Sequence, residues 1–171
     1  MPAITGAITG AFTGALTGAM TDSVTVQMAA SPEAVWDLVS DVTRIGELSP
    51  ETVDARWTRG STGPEPGAWF KGQVRRNGVG PTYWTLCKVV AAEPGREFGF
   101  TVMAGERPVN TWRYRIEPSG DGVAVTESFE LAGHPALRVY WALLGWARGR
   151  TNRRGMRTTL ERIKAVVEAP A

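Results

Sequence analysis

A single carboxylate on an apolar strand face is the clearest chemical feature of the sequence. One segment alternates like a β-strand, and the residues on its apolar face are Val123, Val125, Glu127 and Phe129. A buried carboxylate is costly without a partner, and burial should raise its pKa. Such a group is a candidate general acid or base. Alternatively, Glu127 pairs with an arginine or tyrosine, or reaches solvent at the sheet edge.

Tyr114 is the second residue suited to this chemistry. In segment 109–116, Asn110, Trp112 and Tyr114 share one face, and arginines occupy the other. We therefore place the first face inward, where Asn110 and Trp112 would contact a ligand. The Tyr114 hydroxyl would then hydrogen-bond a substrate carbonyl.

Arg76 is a candidate for binding negative charge. It continues the alternation of Phe70 and Val74 and precedes the hairpin signal Asn77-Gly78, so we place it at the rim of a pocket. A guanidinium there could bind a carboxylate, a phosphate or a phenolate, or hold developing enolate charge. A solvated hairpin arginine explains its position equally well.

The alternation in strand 82–91 does not decide which of its two faces points inward. Lys88 indicates that its own face is outward, which leaves Thr85 and Cys87 inward. A cysteine in such a position is more often a small buried hydrophobe than a nucleophile. No histidine that could activate Cys87 is apparent near it.

The composition argues against several common reaction types. The chain has one cysteine and one histidine, which excludes an intramolecular disulfide and disfavours a multi-histidine metal centre or a conventional catalytic triad. We expect no metal and no cofactor. His134, in a Gly-His-Pro sequence, is expected to cap or join elements.

The last amphipathic segment, 150–168, is the element around which the sheet should close. Its apolar residues recur at steps of three and four, the spacing of one helix face, and are Met156, Leu160, Ile163 and Val167. Asn152 lies four residues before Met156 and belongs to the same inward stripe. We expect Asn152, Met156 and Leu160 to line a cavity between helix and sheet.

The region before this helix is unusually apolar, and the C-terminal part of the chain is basic. Residues 136–147 are too few to span a bilayer; we expect them to begin the helical region, with bends at Gly145 and Gly149. A membrane or partner surface and a mobile lid are the alternatives. Residues 131–171 hold eight Arg and Lys against two Glu. This fits a basic helix attracted to an acidic body, with its charges in solvent, or a nucleic-acid or anionic-membrane surface on the last helix.

The chain should contain one folded domain, residues 22–168. Residues 4–23 repeat a four-residue Thr-Gly pattern, which disfavours regular structure. We therefore expect residues 1–21 to be a disordered tail, and the natural start to be Met20 if the repeat is a mis-assigned beginning. Residues 169–171 would form a short C-terminal tail.

The order of elements predicts an α+β fold. We expect strand 23–30, a helix capped by Ser31, and a second short helix over 42–48. About six more strands with short connections follow, typical of an antiparallel meander; in the first, Val53, Ala55 and Trp57 share the inward face. The prediction is a curved antiparallel sheet of about seven strands around a long C-terminal helix, with two short helices between strands 1 and 2.

The chain resembles a known family. Over about residues 22–168 it is similar to the polyketide cyclase/dehydrase branch of the START/Bet v 1-like (SRPBCC) superfamily, through the segments DVTRIGELSPE, EPGREFGFTV, TWRYRIEP, VTESFE and NRRGMRTTLERIK. The resemblance implies a helix-grip fold with a mostly apolar internal cavity. It also implies Arg, Tyr and acidic pocket residues that promote aldol closure and dehydration. Arg76, Tyr114 and Glu127 are residues of those types.

The resemblance implies a cytoplasmic protein that binds a hydrophobic, polycyclic or aromatic small molecule. It could act as a cofactor-free cyclase/dehydratase, with Glu127, Tyr114 and Arg76 as catalytic candidates. The alternative is a non-catalytic carrier or sensor for a lipid-like ligand, and a third hypothesis is a basic-surface interaction protein. We expect neither a nucleic-acid partner nor a membrane span. The walls of the site would be formed by Trp57, Phe70, Val74, Thr85, Cys87, Asn110, Trp112, Val125, Phe129, Asn152, Met156 and Leu160.

Overall fold

The computed structural model describes residues 21–76, 79–133 and 135–170. Within residues 135–148 it describes the backbone alone. The Thr-Gly repeat up to residue 20, the Asn77-Gly78 hairpin signal, His134 and Ala171 lie outside the described residues.

Seven antiparallel strands in the described part of the chain form one sheet, in the order β1-β7-β6-β5-β4-β3-β2. The strands are β1 Thr21–Met28, β2 Thr52–Thr58, β3 Trp69–Val74, β4 Tyr83–Glu93, β5 Glu97–Ala104, β6 Arg107–Ser119 and β7 Gly122–Leu131. Between β1 and β2 lie helix α1 Pro32–Ser40, a 3-10 turn Val42–Arg44 and helix α2 Ile45–Leu48. Helix α3 Pro135–Val167 ends the fold. The predicted α+β helix-grip architecture is confirmed.

Helix α1 begins as its sequence predicts. The Ser31 side chain accepts a hydrogen bond from the Ala34 amide at 3.1 Å, and Pro32 occupies the first turn. The apolar side chains Val35, Leu38 and Val39 are buried in the core.

Helix α3 packs on the inner face of the sheet through its apolar stripe. Met156, Leu160 and Ile163 are almost completely buried. At the end of the helix, Lys164 Nζ donates to the Gln27 carbonyl at 2.8 Å, and Glu168 accepts a hydrogen bond from the Ala29 amide at 2.6 Å. These contacts fasten the C-terminus of α3 to β1. None of the helices in the described chain is long and apolar enough to cross a membrane.

The structure joins the two expected C-terminal segments into one helix. Helix α3 starts at Pro135 and remains helical through Gly145 and Gly149, the positions at which we expect bends. A glycine within a helix weakens it without ending it. Strand β1 covers Thr21–Met28, whereas the alternation predicts a strand over 23–30.

The facing of β2 differs from the prediction at its first residues. Ala55 is buried and Trp57 packs against the core, but Val53 is 39% exposed. The pairing with β3 shifts between Thr52 and Asp54, so a bulge at Val53 interrupts the alternation. Thr52, on the other side of the bulge, lies on the cavity wall instead.

Candidate ligand cavity

Two adjacent pockets, which we treat as two lobes of one cavity, lie on the inner side of the sheet beside the helices and are partly open to solvent. The helix lobe, of about 110 Å³, borders α3. The hairpin lobe, of about 310 Å³, borders β3, β4 and β5. Ile45, Glu51, Thr52, Val74 and Phe100 line both lobes. Because these residues form a shared wall, one elongated ligand could occupy both lobes, and the two lobes together have the volume of a small-molecule site.

The helix lobe contains a buried carboxyl–phenol pair. Tyr114 and Glu127 are cross-strand partners on β6 and β7, and both point to the inner face. Tyr114 Oη donates a hydrogen bond to Glu127 Oε1 at 3.1 Å, and the two residues are only 6% and 4% exposed. The predicted inward facing of Glu127 is therefore confirmed, with Tyr114 as its partner.

Burial shifts both pKa values upward. Loss of hydration raises the pKa of Glu127 to about 8, although the hydrogen bond from Tyr114 opposes this shift. The pKa of Tyr114 rises well above its ordinary 10.0, first because of burial and then because of the neighbouring Glu127 charge. At neutral pH the carboxyl of Glu127 is mostly protonated, yet close enough to its pKa to titrate.

Three buried polar atoms near the cavity have no hydrogen-bond partner among the described residues. Glu127 Oε2 and Asn152 Nδ2 belong to residues of the helix lobe, and Asn110 Oδ1 belongs to the hairpin lobe. A buried polar atom without a partner costs about 1–3 kcal/mol. The protonated Glu127 carboxyl and the Asn152 amide are both donors, so a ligand with acceptor oxygens such as carbonyls would satisfy the two groups of the helix lobe.

The apolar walls are built by aromatic side chains of several strands. Phe100 touches Phe70 edge to face, with ring centroids 5.1 Å apart, and Trp112 packs on Phe129 at 4.9 Å. Edge-to-face and tilted pairs of this kind fix ring orientations in a core. The cavity therefore combines rigid aromatic surface with a few buried polar atoms.

Most of the predicted ligand-binding residues lie on the cavity walls. The helix lobe contains Val74, Trp112, Tyr114, Glu127, Asn152 and Met156. The hairpin lobe contains Phe70, Val74, Arg76, Thr85, Cys87 and Asn110. The inward facing of Thr85 and Cys87 on β4, predicted from the outward Lys88, is confirmed.

Four predicted wall residues lie in the core instead of on these two lobes. Trp57 on β2 packs against Phe70, and the ring of Phe129 packs against the ring of Trp112. Val125 and Leu160 are almost completely buried. The alternation and the helix stripe predict the inward face correctly, but they do not distinguish a residue that fills space from one that borders a cavity.

Arg76 does not join the carboxyl–phenol pair. Strand β3 ends at Val74, and Arg76 lies beyond it as an exposed residue on the rim of the hairpin lobe. Glu127 and Tyr114 line the helix lobe. The predicted rim position is confirmed, but the three catalytic candidates are divided between the two lobes.

Cys87 is a buried hydrophobe, as expected. Its side chain is almost completely buried, and Thr85 Oγ1 lies 3.9 Å from Sγ. Burial raises the pKa of the thiol to about 12. A thiol of that pKa is not a nucleophile at neutral pH.

Sequence reasoning missed several wall residues that come from other elements. Phe100 lines both lobes, and the alternation of Phe98 with Phe100 on β5 could have indicated it. Ile45 reaches the cavity from the short helix α2, whose position no local pattern predicts. Thr159 lies on the α3 stripe, but its hydroxyl donates to the Gly155 carbonyl at 3.1 Å.

An antiparallel sheet wrapped around a long C-terminal helix, with a cavity between them, defines a helix-grip protein. The family model described as polyketide cyclase/dehydrase and lipid transport matches residues 19–168. The chain therefore belongs to this family.

Solved structures agree with this assignment. A polyketide-cyclase-like protein from Corynebacterium glutamicum is 31% identical, with 90% of this chain and 94% of that chain covered and a TM-score of 0.58. A START superfamily protein from Mycobacterium smegmatis is 16% identical over 86% of this chain and 97% of its own, with a TM-score of 0.61.

A larger enzyme shares the fold. The di-domain aromatase/cyclase StfQ of steffimycin biosynthesis is 12% identical, with a TM-score of 0.65. The match covers 87% of this chain and 50% of StfQ. A comparison with curated proteins found no match.

Proposed function

We propose that the protein binds a hydrophobic, polycyclic or aromatic molecule with oxygen substituents in the two-lobed cavity, and that it acts on it as a cofactor-free cyclase/dehydratase. The observation that carries the proposal is the buried Tyr114–Glu127 pair, with Glu127 Oε2 unpartnered among the described residues in a helix lobe that Asn152 also lines. Membership of a polyketide cyclase/dehydrase and lipid transport family supports it. A cytoplasmic location belongs to the same proposal.

Glu127 moves the protons in the proposed reaction. Its carboxylate removes a proton from the carbon next to a substrate carbonyl, and the resulting enolate carbon attacks a second carbonyl of the same molecule. The Glu127 carboxyl then gives the proton to the new alkoxide. In the dehydration, Glu127 takes a second proton from carbon and returns it to the leaving hydroxyl, which departs as water. A group with a pKa near the working pH is suited to both directions of transfer.

Asn152 and Tyr114 have supporting roles. Asn152 Nδ2 donates to the carbonyl oxygen that becomes the enolate, because this amide has no other partner among the described residues. The Tyr114 hydroxyl donates a hydrogen bond to Glu127 Oε1 and so lowers the pKa of the carboxyl from the value that burial alone would give. This revises the earlier assignment, in which Tyr114 held the substrate carbonyl. Arg76 binds an acidic group of the ligand at the rim of the hairpin lobe.

A non-catalytic carrier is the second candidate. The hairpin lobe favours it, because this larger lobe has mainly apolar and aromatic walls that include Phe70, Val74 and Phe100. Such walls retain a lipid-like ligand without any chemistry. In that case Glu127 and Asn152 only orient the polar end of the ligand.

Native mass spectrometry of the purified protein tests the binding proposal. We expect a co-purifying hydrophobic compound that remains bound under native conditions and is released on denaturation. Genes for a polyketide synthase beside the gene of this protein would favour the cyclase. Recovery of the compound unchanged after incubation would favour the carrier, and failure to bind any hydrophobic compound would contradict both.

A further inference from the structure

The outer face of strands β2, β3 and β4 carries cations and indoles that the cavity does not use. We call these six residues the cation–indole surface: Arg56, Arg59, Lys71, Lys88, Trp69 and Trp84. Alternation on the three strands places Arg56, Lys71, Trp84 and Lys88 on the face opposite to the cavity. The surface lies at the β2 edge of the sheet.

Each indole is flanked by two cations. The guanidinium carbon of Arg56 and the ammonium nitrogen of Lys71 lie 4.7 and 5.1 Å from the ring centre of Trp84. Arg59 and Lys88 lie 4.3 and 5.5 Å from the ring centre of Trp69. These contacts hold four positive charges in place over a small area.

The four charges have no acidic partner. None of these cations forms an ion pair with a carboxylate in the described part of the chain, whereas Arg113 and Arg115 on β6 share Glu97. Arg56 and Lys71 are direct cross-strand neighbours. Like charges in that position are destabilising, so an external anion would relieve the repulsion.

The backbone at Arg59 supports a functional role. Arg59 has φ of +56° and is the sole described residue other than glycine with positive φ. This left-handed conformation is unfavourable for a side chain with a Cβ. The strained turn places the Arg59 guanidinium over the ring of Trp69. A glycine at position 59 would relieve the strain but would carry no charge.

Exposed apolar side chains lie on or next to the same strands. Of the six large hydrophobic residues that are exposed among those described, five lie on β2, on β4 or in the connection before β4: Val53, Val79, Tyr83, Trp84 and Val90. Tyr83 also lines the hairpin lobe. Unpaired cations, indoles and apolar side chains therefore occur together beside one lobe of the cavity.

We propose that the cation–indole surface docks on a lipid bilayer that contains anionic headgroups. Lysine, arginine and tryptophan favour the interfacial layer, where cations meet lipid phosphates and indoles lie among the headgroups. A single-stranded nucleic acid fits less well because its bases need open aromatic faces, and cations already lie over these indoles. A protein partner fits less well because lysine is depleted in interface cores. The proposal does not depend on the reaction in the cavity.

Vesicle sedimentation with the full chain tests the proposal. We expect binding to vesicles that contain phosphatidylglycerol, little binding to pure phosphatidylcholine, and weaker binding as salt increases. Arg56→Glu should weaken binding by about 30-fold, since each charge near the surface contributes about fivefold. Trp84→Ala should weaken it further.

Arg154→Glu on α3 is the matched control. Arg154 is exposed on the basic polar face of α3, and the change in net charge is the same. Arg56→Glu loses the contact with Trp84 but places a carboxylate opposite Lys71, so we expect a melting temperature close to that of the wild type. Its measurement shows whether a loss of binding is separate from unfolding. Equal loss in both variants would overturn the assignment of the surface. Failure of the wild-type protein to bind phosphatidylglycerol, or binding of a single-stranded oligonucleotide in place of vesicles, would overturn the proposal.

Discussion

Tyr114 and Glu127 lie directly opposite each other on β6 and β7, and the Tyr114 hydroxyl donates to one of the two carboxyl oxygens of Glu127. The other oxygen, Oε2, has no partner in the described protein. One oxygen therefore serves to adjust the pKa of the carboxyl, and the second is available to a ligand. This division of roles leads to the first three predictions.

Replacing Glu127 by Gln should abolish most turnover of an aromatic polyketone if the protein is a cyclase. Glutamine keeps the shape but cannot transfer the proton, so kcat should fall by about two to four orders of magnitude. Ligand affinity should change little. Glu130→Gln, an exposed position on the same strand, is the matched control and should leave kcat unchanged.

The carrier hypothesis gives a different result for the same pair of variants. Without turnover, Glu127→Gln and Glu130→Gln should bind the ligand like the wild-type protein. Unchanged turnover in the Glu127→Gln variant would remove Glu127 from the mechanism and would leave the fold unaffected.

The pH dependence of stability should report the raised pKa of Glu127. In the folded state this pKa is about 8, against an ordinary value of 4.5. Below pH 4.5 the carboxyl is protonated in both states. Between about 4.5 and 8 unfolding releases its proton, so the stability due to the protonated carboxyl is lost as pH rises, by about 1.4 kcal/mol per pH unit.

Urea unfolding of the wild-type protein and of Glu127→Gln measures this contribution. Other groups titrate alike in both proteins, so the difference isolates Glu127. The Gln variant should gain stability relative to the wild type between about pH 4.5 and 8, and the difference should then become constant. A difference independent of pH would contradict a buried carboxyl with a raised pKa.

Tyr114→Phe should raise the pKa of Glu127 further. The hydroxyl stabilises the carboxylate, so its removal leaves burial without the opposing hydrogen bond. The midpoint of the Glu127 titration, followed by NMR of a labelled carboxyl, should move to higher pH, and the pH profile of kcat should move with it. A shift to lower pH would mean that the hydroxyl destabilises the charged form.

The sequence predicts the fold and the inner face well because both depend on local alternation. The carboxylate of Glu127 among valines and phenylalanine, and the stripe of Met156, Leu160 and Ile163, specify which faces meet. Lys88 on β4 was sufficient to orient that strand. A one-residue error in register would have reversed these assignments.

Details that depend on tertiary contacts could not be predicted in the same way. Because of the bulge at Val53, Thr52 faces the cavity in place of Val53. Helix α2 places Ile45 on the cavity wall. Arg56 and Lys71 become neighbours over Trp84 only when β2, β3 and β4 pair. The two lobes themselves arise where side chains fail to fill the core, which no local pattern reports.

Trp112→Ala should weaken binding of an apolar fluorescent probe such as an anilinonaphthalene sulfonate. Trp112 lines the helix lobe, and loss of its aromatic surface should reduce affinity by about 10- to 100-fold. Trp57→Ala is the control, because Trp57 packs behind Phe70 and lines neither lobe itself. Both variants should lose stability, but only Trp112→Ala should lose affinity. Equal losses of affinity in the two variants would mean that the weaker probe binding results from the loss of protein stability and not from the loss of a wall contact.

Gly46→Ala tests the close approach that positions α2 beside the cavity. A methyl group at Gly46 would clash with the carbonyl oxygen of Val53, in the bulge of β2. Backbone cannot yield as a flexible side chain can, so we expect a loss of about 1–3 kcal/mol in the free energy of unfolding, and weaker probe binding as Ile45 moves.

Gly63→Ala is the matched control, since nothing lies within 4 Å of its added methyl group and its φ is not positive. That variant should be unchanged or up to about 1 kcal/mol more stable, because the unfolded chain loses freedom. Denaturant unfolding of the two variants measures both effects, and a Gly46→Ala protein as stable as Gly63→Ala would show that α2 does not pack on the bulge as described.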